Sequence, residues 1–172
     1  MQDMGILSED LARYKNIKEM PRYQRYFRKY QDSSCKIIRL FYKIIFTHYR
    51  NKCLVDISAD TKIGGGLYIG HPYCITINPQ AVIGRNCNIH KGVTIGQENR
   101  GFRKGVPVIN DEVWIGINAT IVGAINIGSD VLIAPNSYVN CDVPDHSVVF
   151  GNPCIIKHKE NATQGYINNK FV

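Results

Sequence analysis

No two of the six cysteines (Cys35, Cys53, Cys74, Cys87, Cys141, Cys154) form a CxxC pair, and no secretory leader precedes them. Thiols scattered in this way argue against a zinc knuckle or a disulfide framework, so no metal centre is expected and a cytoplasmic location is. A long apolar run is missing too. The most hydrophobic stretch, IIRLFYKIIFTHY from Ile37 to Tyr49, is broken by Arg39 and Lys43 and falls short of the ~20 residues that cross a bilayer. Stable membrane insertion is therefore not expected, which leaves only a surface contact through this basic, aromatic segment as an alternative. Acidic excess is absent: the formal charge is +7, and residues 1–52 hold 12 Lys+Arg against 5 Asp+Glu while the remainder holds 9 against 9. The basic surplus belongs wholly to the N-terminal segment, where it reads as a solvated helix face or as an attractor of phosphate, nucleic acid or anionic lipid.

What is present is a rhythm. An apolar branched residue returns every six positions at Ile57, Ile63 and Ile69, then at Ile77, Ile83, Ile89 and Ile95, and again from Ile109 through Ile115, Ile121, Ile127 and Ile133 to Val139. Period six fits neither a helix nor a hairpin array; it is the mark of hexapeptide β-helix repeats. Each unit is a short strand and a corner, with the isoleucine inward and a smaller inward residue four positions on: Leu67, Ala81, Cys87, Val93, Val113, Ala119, Ile125, Val131 and Ser137. Three units make one triangular coil, and coils stack about 4.8 Å apart as parallel strands do. Cys87 is then core packing, and Trp114, at a corner, is expected to touch a loop or a neighbouring subunit.

The chain divides into a basic α-helical segment (residues 1–52), a repeat region (53–157) with an extruded loop (97–108), and a polar tail (158–172) expected to be poorly ordered. Ser8 suggests the N-cap of a first helix and Pro21 the start of a second. Ile37, Leu40, Phe41, Ile44 and Ile45 carry helical spacing and are expected to pack against the coil or another subunit.

The rhythm slips twice, and inserted residues in a solenoid must bulge outward. The first slip adds two residues between Ile69 and Ile77, where GLYIGHPYCITI places His71. The second adds eight between Ile95 and Ile109, in GQENRGFRKGVPV, rich in glycine and charge as a mobile loop is. One site is expected to use both.

VDISADTKIGGGLYIGH, INPQAVIGRNCNIHKGVTIG, VPVINDEVWIGINATIVGAINIGSDVLIAPNSYV and GNPCIIK closely resemble the serine acetyltransferases of the hexapeptide-repeat acyltransferase superfamily. The resemblance implies a mainly β fold, a left-handed parallel β-helix, and a homotrimer with acetyl-CoA bound between adjacent subunits. It matches His71 to the catalytic histidine and Asp56 to its partner carboxylate. The chemistry needs such a pair: an alcohol attacks a thioester only as a base accepts its proton, imidazole is matched to neutral pH, and a carboxylate fixes the tautomer. The separation of 15 residues is close to one coil. His90, one residue past inward Ile89, points outward and is a candidate second active-site histidine. Cys74 as an acetylated nucleophile is the rival to direct transfer, against a packing role. For the cofactor, the resemblance points to outward backbone at Gly116, Ile117, Ala134 and Pro135. Lys157, Arg103 and Lys104 are candidates for its phosphates or are simply solvated.

The chain departs from the family where the carboxylate before the catalytic histidine is Gly70, where a loop histidine is Val106, and where the helical domain shrinks to residues 1–52. The first two positions help hold serine in the family. Three readings follow: transfer of acetyl to L-serine, the first step toward cysteine; transfer to a sugar or cell-surface polysaccharide hydroxyl; and a non-catalytic β-helix assembly module, which would need neither Asp56 nor His71. Nucleic acid is not an expected partner, because the coil shows no interleaving of basic and aromatic residues.

Overall fold

The computed structural model describes residues 5 to 171. The six-residue rhythm becomes a three-sided prism in which every third strand, as far as the thirteenth, returns to the same face. Face A holds β1 (Asp56–Ile57), β4 (Thr76–Ile77), β7 (Thr94–Gly96), β10 (Thr120–Val122) and β13 (Tyr138–Val139). Face B holds β2 (Lys62–Ile63), β5 (Val82–Ile83), β8 (Val108–Ile109) and β11 (Asn126–Ile127). Face C holds β3 (Tyr68–Gly70), β6 (Asn88–His90), β9 (Val113–Ile115), β12 (Val131–Ile133) and β14 (Ser147–Phe150), and β15 (Ile155–His158) closes it antiparallel. All other pairings are parallel and in register, Ile57 on Ile77 on Ile95 on Ile121 on Val139 along face A. These ladders are the core, and the smaller inward residues fill it between them. Val55, Ala59, Thr61, Ile75, Val143 and Val149 join them, positions the repeat reading left out. Cys87 is packing, its thiol pushed up to about 12 by burial.

The corners explain the polar spacers. The residue just before the second inward position adopts the left-handed conformation at Gly66, Asn86, Gly92, Glu112, Asn118, Asp130 and Asn136. Glycine, asparagine and aspartate tolerate that conformation best, so their recurrence is a backbone requirement of the turn.

Three helices cover the open edge of the first coil: α1 (Ile6–Leu11), α2 (Arg22–Asp32), which follows Pro21 as expected, and α3 (Lys36–Lys52). Ser8 is not the cap. The first helix starts at Ile6, and the Ser8 hydroxyl bonds back to the Gly5 carbonyl at 2.6 Å from inside it. A solenoid end exposes unpaired peptide groups, and here side chains satisfy them. Arg28 donates to the Ile63 and Gly64 carbonyls, Arg13 to Gly66, Arg50 to Ile57 and Gln24 to Leu67. Asp10 accepts from Leu67 N–H, and Tyr14 from Ile69 N–H. Asp10 and Arg28 form an ion pair at 2.7 Å with both side chains fully buried. Part of the basic surplus is therefore structural. The third helix packs through Phe46 against Phe27, while Ile37, Leu40, Phe41 and Ile44 face outward within this chain.

The tail is not loose as expected. It runs back along the outside of face C. The Ala162 and Thr163 N–H groups and the Thr163 hydroxyl donate to Asp130. Tyr166 meets Trp114, the Asn168 carbonyl accepts from Arg13, and Phe171 N–H donates to Asn86. Polar corner side chains on face C give a polar segment something to bind, which hydropathy alone cannot register.

Candidate active site

The edge between faces C and A gathers most of the predicted site residues. Gly70 pairs with His90 across the β3–β6 ladder, and continuing the registers sets His90 over Gly116 and Gly116 over Ala134. One residue further along, His71, Lys91, Ile117 and Pro135 form a second column. Backbone bonds stitch these corners together, from Gly92 N–H to the Tyr73 carbonyl, Asn118 to Lys91 and Asn136 to Ile117. Lys91 was not singled out from the sequence; its signal was its place one coil below His71.

The two-residue slip acts locally. His71 takes a left-handed conformation with φ 56° in addition to the regular one at Cys74, and Tyr73 N–H closes a tight turn onto the His71 carbonyl at 2.8 Å. Such a conformation is uncommon for any residue but glycine, and costs roughly 1 kcal/mol or more, so the fold holds the imidazole outward against a local penalty. His71 is exposed. Cys74, expected inside a strand, is instead exposed at the corner, because the inward position belongs to Ile75.

Asp56 lies at the same edge, since the corner after His71 stacks on the one before Asp56 through Cys74 N–H to the Cys53 carbonyl. Among the described residues no hydrogen bond joins the two side chains. The Asp56 carboxylate is 80% exposed and sits 3.3 Å from Arg50.

His90 is held more firmly. Its ring lies on Gly70, where an added Cβ would come within 2.5 Å of Nδ1, and it packs on Trp114 at 4.8 Å between ring centres and on His71 at 6.4 Å. Its Nε2 is buried without a hydrogen-bond partner among the described residues. Burial, helped by the nearby His71, lowers its pKa, which keeps the imidazole neutral at physiological pH. A cleft of about 270 Å³ opens beside it, walled by Tyr68, Trp114 and Tyr166, so the tail supplies one wall.

The cofactor candidates divide. Gly116 is required by packing, since a Cβ there would meet Pro135 N at 2.6 Å. The Gly116 and Ala134 N–H groups are spent on the ladder, whereas the half-buried corner residue Ile117 has an N–H with no backbone acceptor among the described residues. An edge of close-packed backbone with such a donor fits an extended amide-bearing chain. Lys157 reaches the lower end of this edge, its Nζ 5.7 Å from the Phe150 ring. Arg103 and Lys104 do not reach it. They sit at the edge between faces A and B, in a hairpin closed by Glu98 and Gly105, with Arg103 paired to Glu98 at 3.1 Å. The hairpin is also pinned to the next coil through Ala124 N–H to the Arg103 carbonyl. Within one chain the loop and His71 occupy different edges, contrary to the expectation of a shared site, because face A separates them.

No family model matches the chain. A serine acetyltransferase of Staphylococcus aureus is 36% identical over 111 residues, 64% of this chain and 52% of that protein. The crystal structure of Neisseria gonorrhoeae serine acetyltransferase in complex with serine is 30% identical with a TM-score of 0.65, covering 88% of this chain and 67% of that one. The chain belongs to the serine acetyltransferase family. Its fold is the left-handed parallel β-helix of that family. A serine acetyltransferase structure in complex with CoA matches at 28% identity and a TM-score of 0.60, over 78% of this chain and 54% of that one. The chain spans only about a third to a half of the length of the curated relatives it matches. Against the serine acetyltransferase pattern, Gly70 now has a physical reason: an acidic side chain at this position has no room while His90 lies where it does.

Proposed function

We propose that this protein is an acetyl-CoA-dependent O-acetyltransferase of the cytoplasm, with His71 as general base and L-serine as acceptor in a route toward cysteine. The observation that carries the reading is His71 itself, an exposed imidazole lifted into a left-handed turn at the top of a backbone-lined edge in a serine acetyltransferase fold. The acceptor hydroxyl gives its proton to His71 as its oxygen attacks the thioester carbonyl, and the imidazolium then protonates the departing thiolate. Asp56, one coil above, fixes the imidazole tautomer once it exchanges Arg50 for His71. Ile117 N–H and the carbonyls beside it bind the amides of the pantetheine arm, with Lys157 near its phosphates; Arg103 and Lys104 serve from a neighbouring copy. That last assignment supports a homotrimer, because the loop edge and the His71 edge meet only when face A of one chain is bordered by another.

A sugar hydroxyl is the second reading, and one observation favours it. Gly70 and the neutral imidazole of His90 stand where the family carries a carboxylate, and the cleft beside them, lined by Tyr68, Trp114 and Tyr166 together with Glu19, offers aromatic faces to a sugar ring. Release of free thiol from acetyl-CoA, measured with serine and with methyl glycosides separately, decides between them. His71→Ala is expected to lower turnover by about 10²- to 10⁴-fold with the assembly unchanged; turnover equal to the parent removes His71 as the base, and acetylated Cys74 would replace direct transfer.

A further inference from the structure

We infer that the outward face of the third helix is a docking surface for an anionic lipid bilayer. Ile37, Leu40, Phe41 and Ile44 are 80, 61, 58 and 62% exposed, and their spacing of three, one and three residues sets them on one side of the helix, with Ile38 at its margin 45% exposed. Single exposed apolar residues are ordinary on a protein surface; four large contiguous ones along about 10 Å of helix are not. The opposite side is already committed, through buried Phe46 against Phe27 and through Tyr49 stacked on Tyr26.

Charge decides the occupant. The helix has no Asp or Glu and carries Lys36, Arg39, Lys43, Arg50 and Lys52. It lies in a segment with 12 cations and 5 acids. A second copy docked helix to helix through this face would set two wholly cationic helices together. An anionic bilayer complements both properties at once, taking the apolar side chains at the acyl boundary and the flanking lysines at the headgroups. The helix has 17 residues and is neither long nor apolar enough to cross, so it lies in the plane of the surface. The geometry is independent of which hydroxyl is acetylated.

Co-sedimentation with phosphatidylcholine vesicles, with and without phosphatidylglycerol, tests this. The full chain is expected to sediment with the mixed vesicles, to bind the neutral ones much more weakly, and to be released as salt rises. The double variant Phe41→Ser/Ile44→Ser is expected to bind at least about tenfold more weakly, with circular dichroism and thiol release unchanged. Lys36→Glu/Lys43→Glu, which leaves the apolar stripe intact, is expected to lose the preference for phosphatidylglycerol, and it carries the test if the serine variant does not fold. The inference is overturned if the parent stays in the supernatant with both vesicles. It is equally overturned if binding ignores the charge reversal, or if the serine variant changes the sedimentation coefficient of the assembly, which would assign the face to a second copy.

Discussion

One methyl group placed at Gly70 measures how firmly His90 is held. In Gly70→Ala the new Cβ would lie 2.5 Å from His90 Nδ1 and 2.6 Å from Cε1, well inside contact. The imidazole has little retreat, because Trp114 lies 4.8 Å behind it and Tyr166 braces Trp114 at 5.1 Å. Gly70 does not have a positive φ, so alanine suits its backbone and by itself would stabilise by about 0.4–1 kcal/mol through the unfolded chain. Overpacking against the ring costs about 1–3 kcal/mol, leaving a net loss of roughly 0.5–2 kcal/mol. In a His90→Ala background the three atoms nearest the methyl are gone and the sign is expected to reverse, for a coupling of roughly 1–3 kcal/mol between the two sites. Urea unfolding of the four proteins at one fixed concentration reads this directly, since assembly shifts apparent stability. A Gly70→Ala change that stabilises the parent, or acts equally in both backgrounds, refutes a fixed His90 as the reason for glycine at this position.

Asp10→Ala leaves Arg28 buried and unpaired and is expected to cost about 3–5 kcal/mol in the same assay, whereas replacing both residues by apolar ones of similar volume is expected to cost far less. The tail should be most firmly held in a window of pH. Burial pushes the Asp130 carboxyl up, but hydrogen bonds from the Thr163 hydroxyl, His146, and the Thr163 and Ala162 N–H groups outweigh it and bring it to about 2. Its contribution, about 1–2 kcal/mol after solvent screening, is present above the unfolded value near ~4 and lost as pH falls through about 2. The hydrogen bond to Asp130 raises the His146 pKa, so its contribution is full below about 6.5 and is lost as pH rises through the folded value. Hydrogen exchange of the Ala162 and Thr163 amides is therefore expected to be slowest between about pH 4 and 6.5, after correction for intrinsic rates; protection that stays flat across this range contradicts the arrangement.

The ladders were legible because a period of six leaves no alternative path for the chain. Ile57 to Val139 read inward from the sequence and are inward in the structure. The candidate site was conspicuous for a related reason: a strict register makes each insertion visible, so His71 stands out against its own neighbours. What escaped was contact between segments of different kind. The helix boundary at Ile6, the Asp56–Arg50 pair and the seat of Tyr166 on Trp114 each depend on which polar groups the solenoid leaves unpaired, and no local pattern reports that. The separation of the extruded loop from His71 was written in the repeat: four units, from Ile77 to Ile95, lie between the two slips, and with three units to a coil the slips fall on different edges.

The side chains that close the first coil also set how long the molecule is. Each coil presents to the next the same peptide groups it received, so nothing in the repeat itself says where to stop. Arg28, Arg13, Gln24 and Tyr14 spend those groups at one end, and β15 does so antiparallel for face C at the other. Length is thus decided by a few residues outside the repeat, and a gene that gained or lost one coil of about 18 residues between those ends could still encode a closed particle. A chain stripped of its first helices would instead carry a bare strand edge, and its fate would be to grow end to end with its own kind.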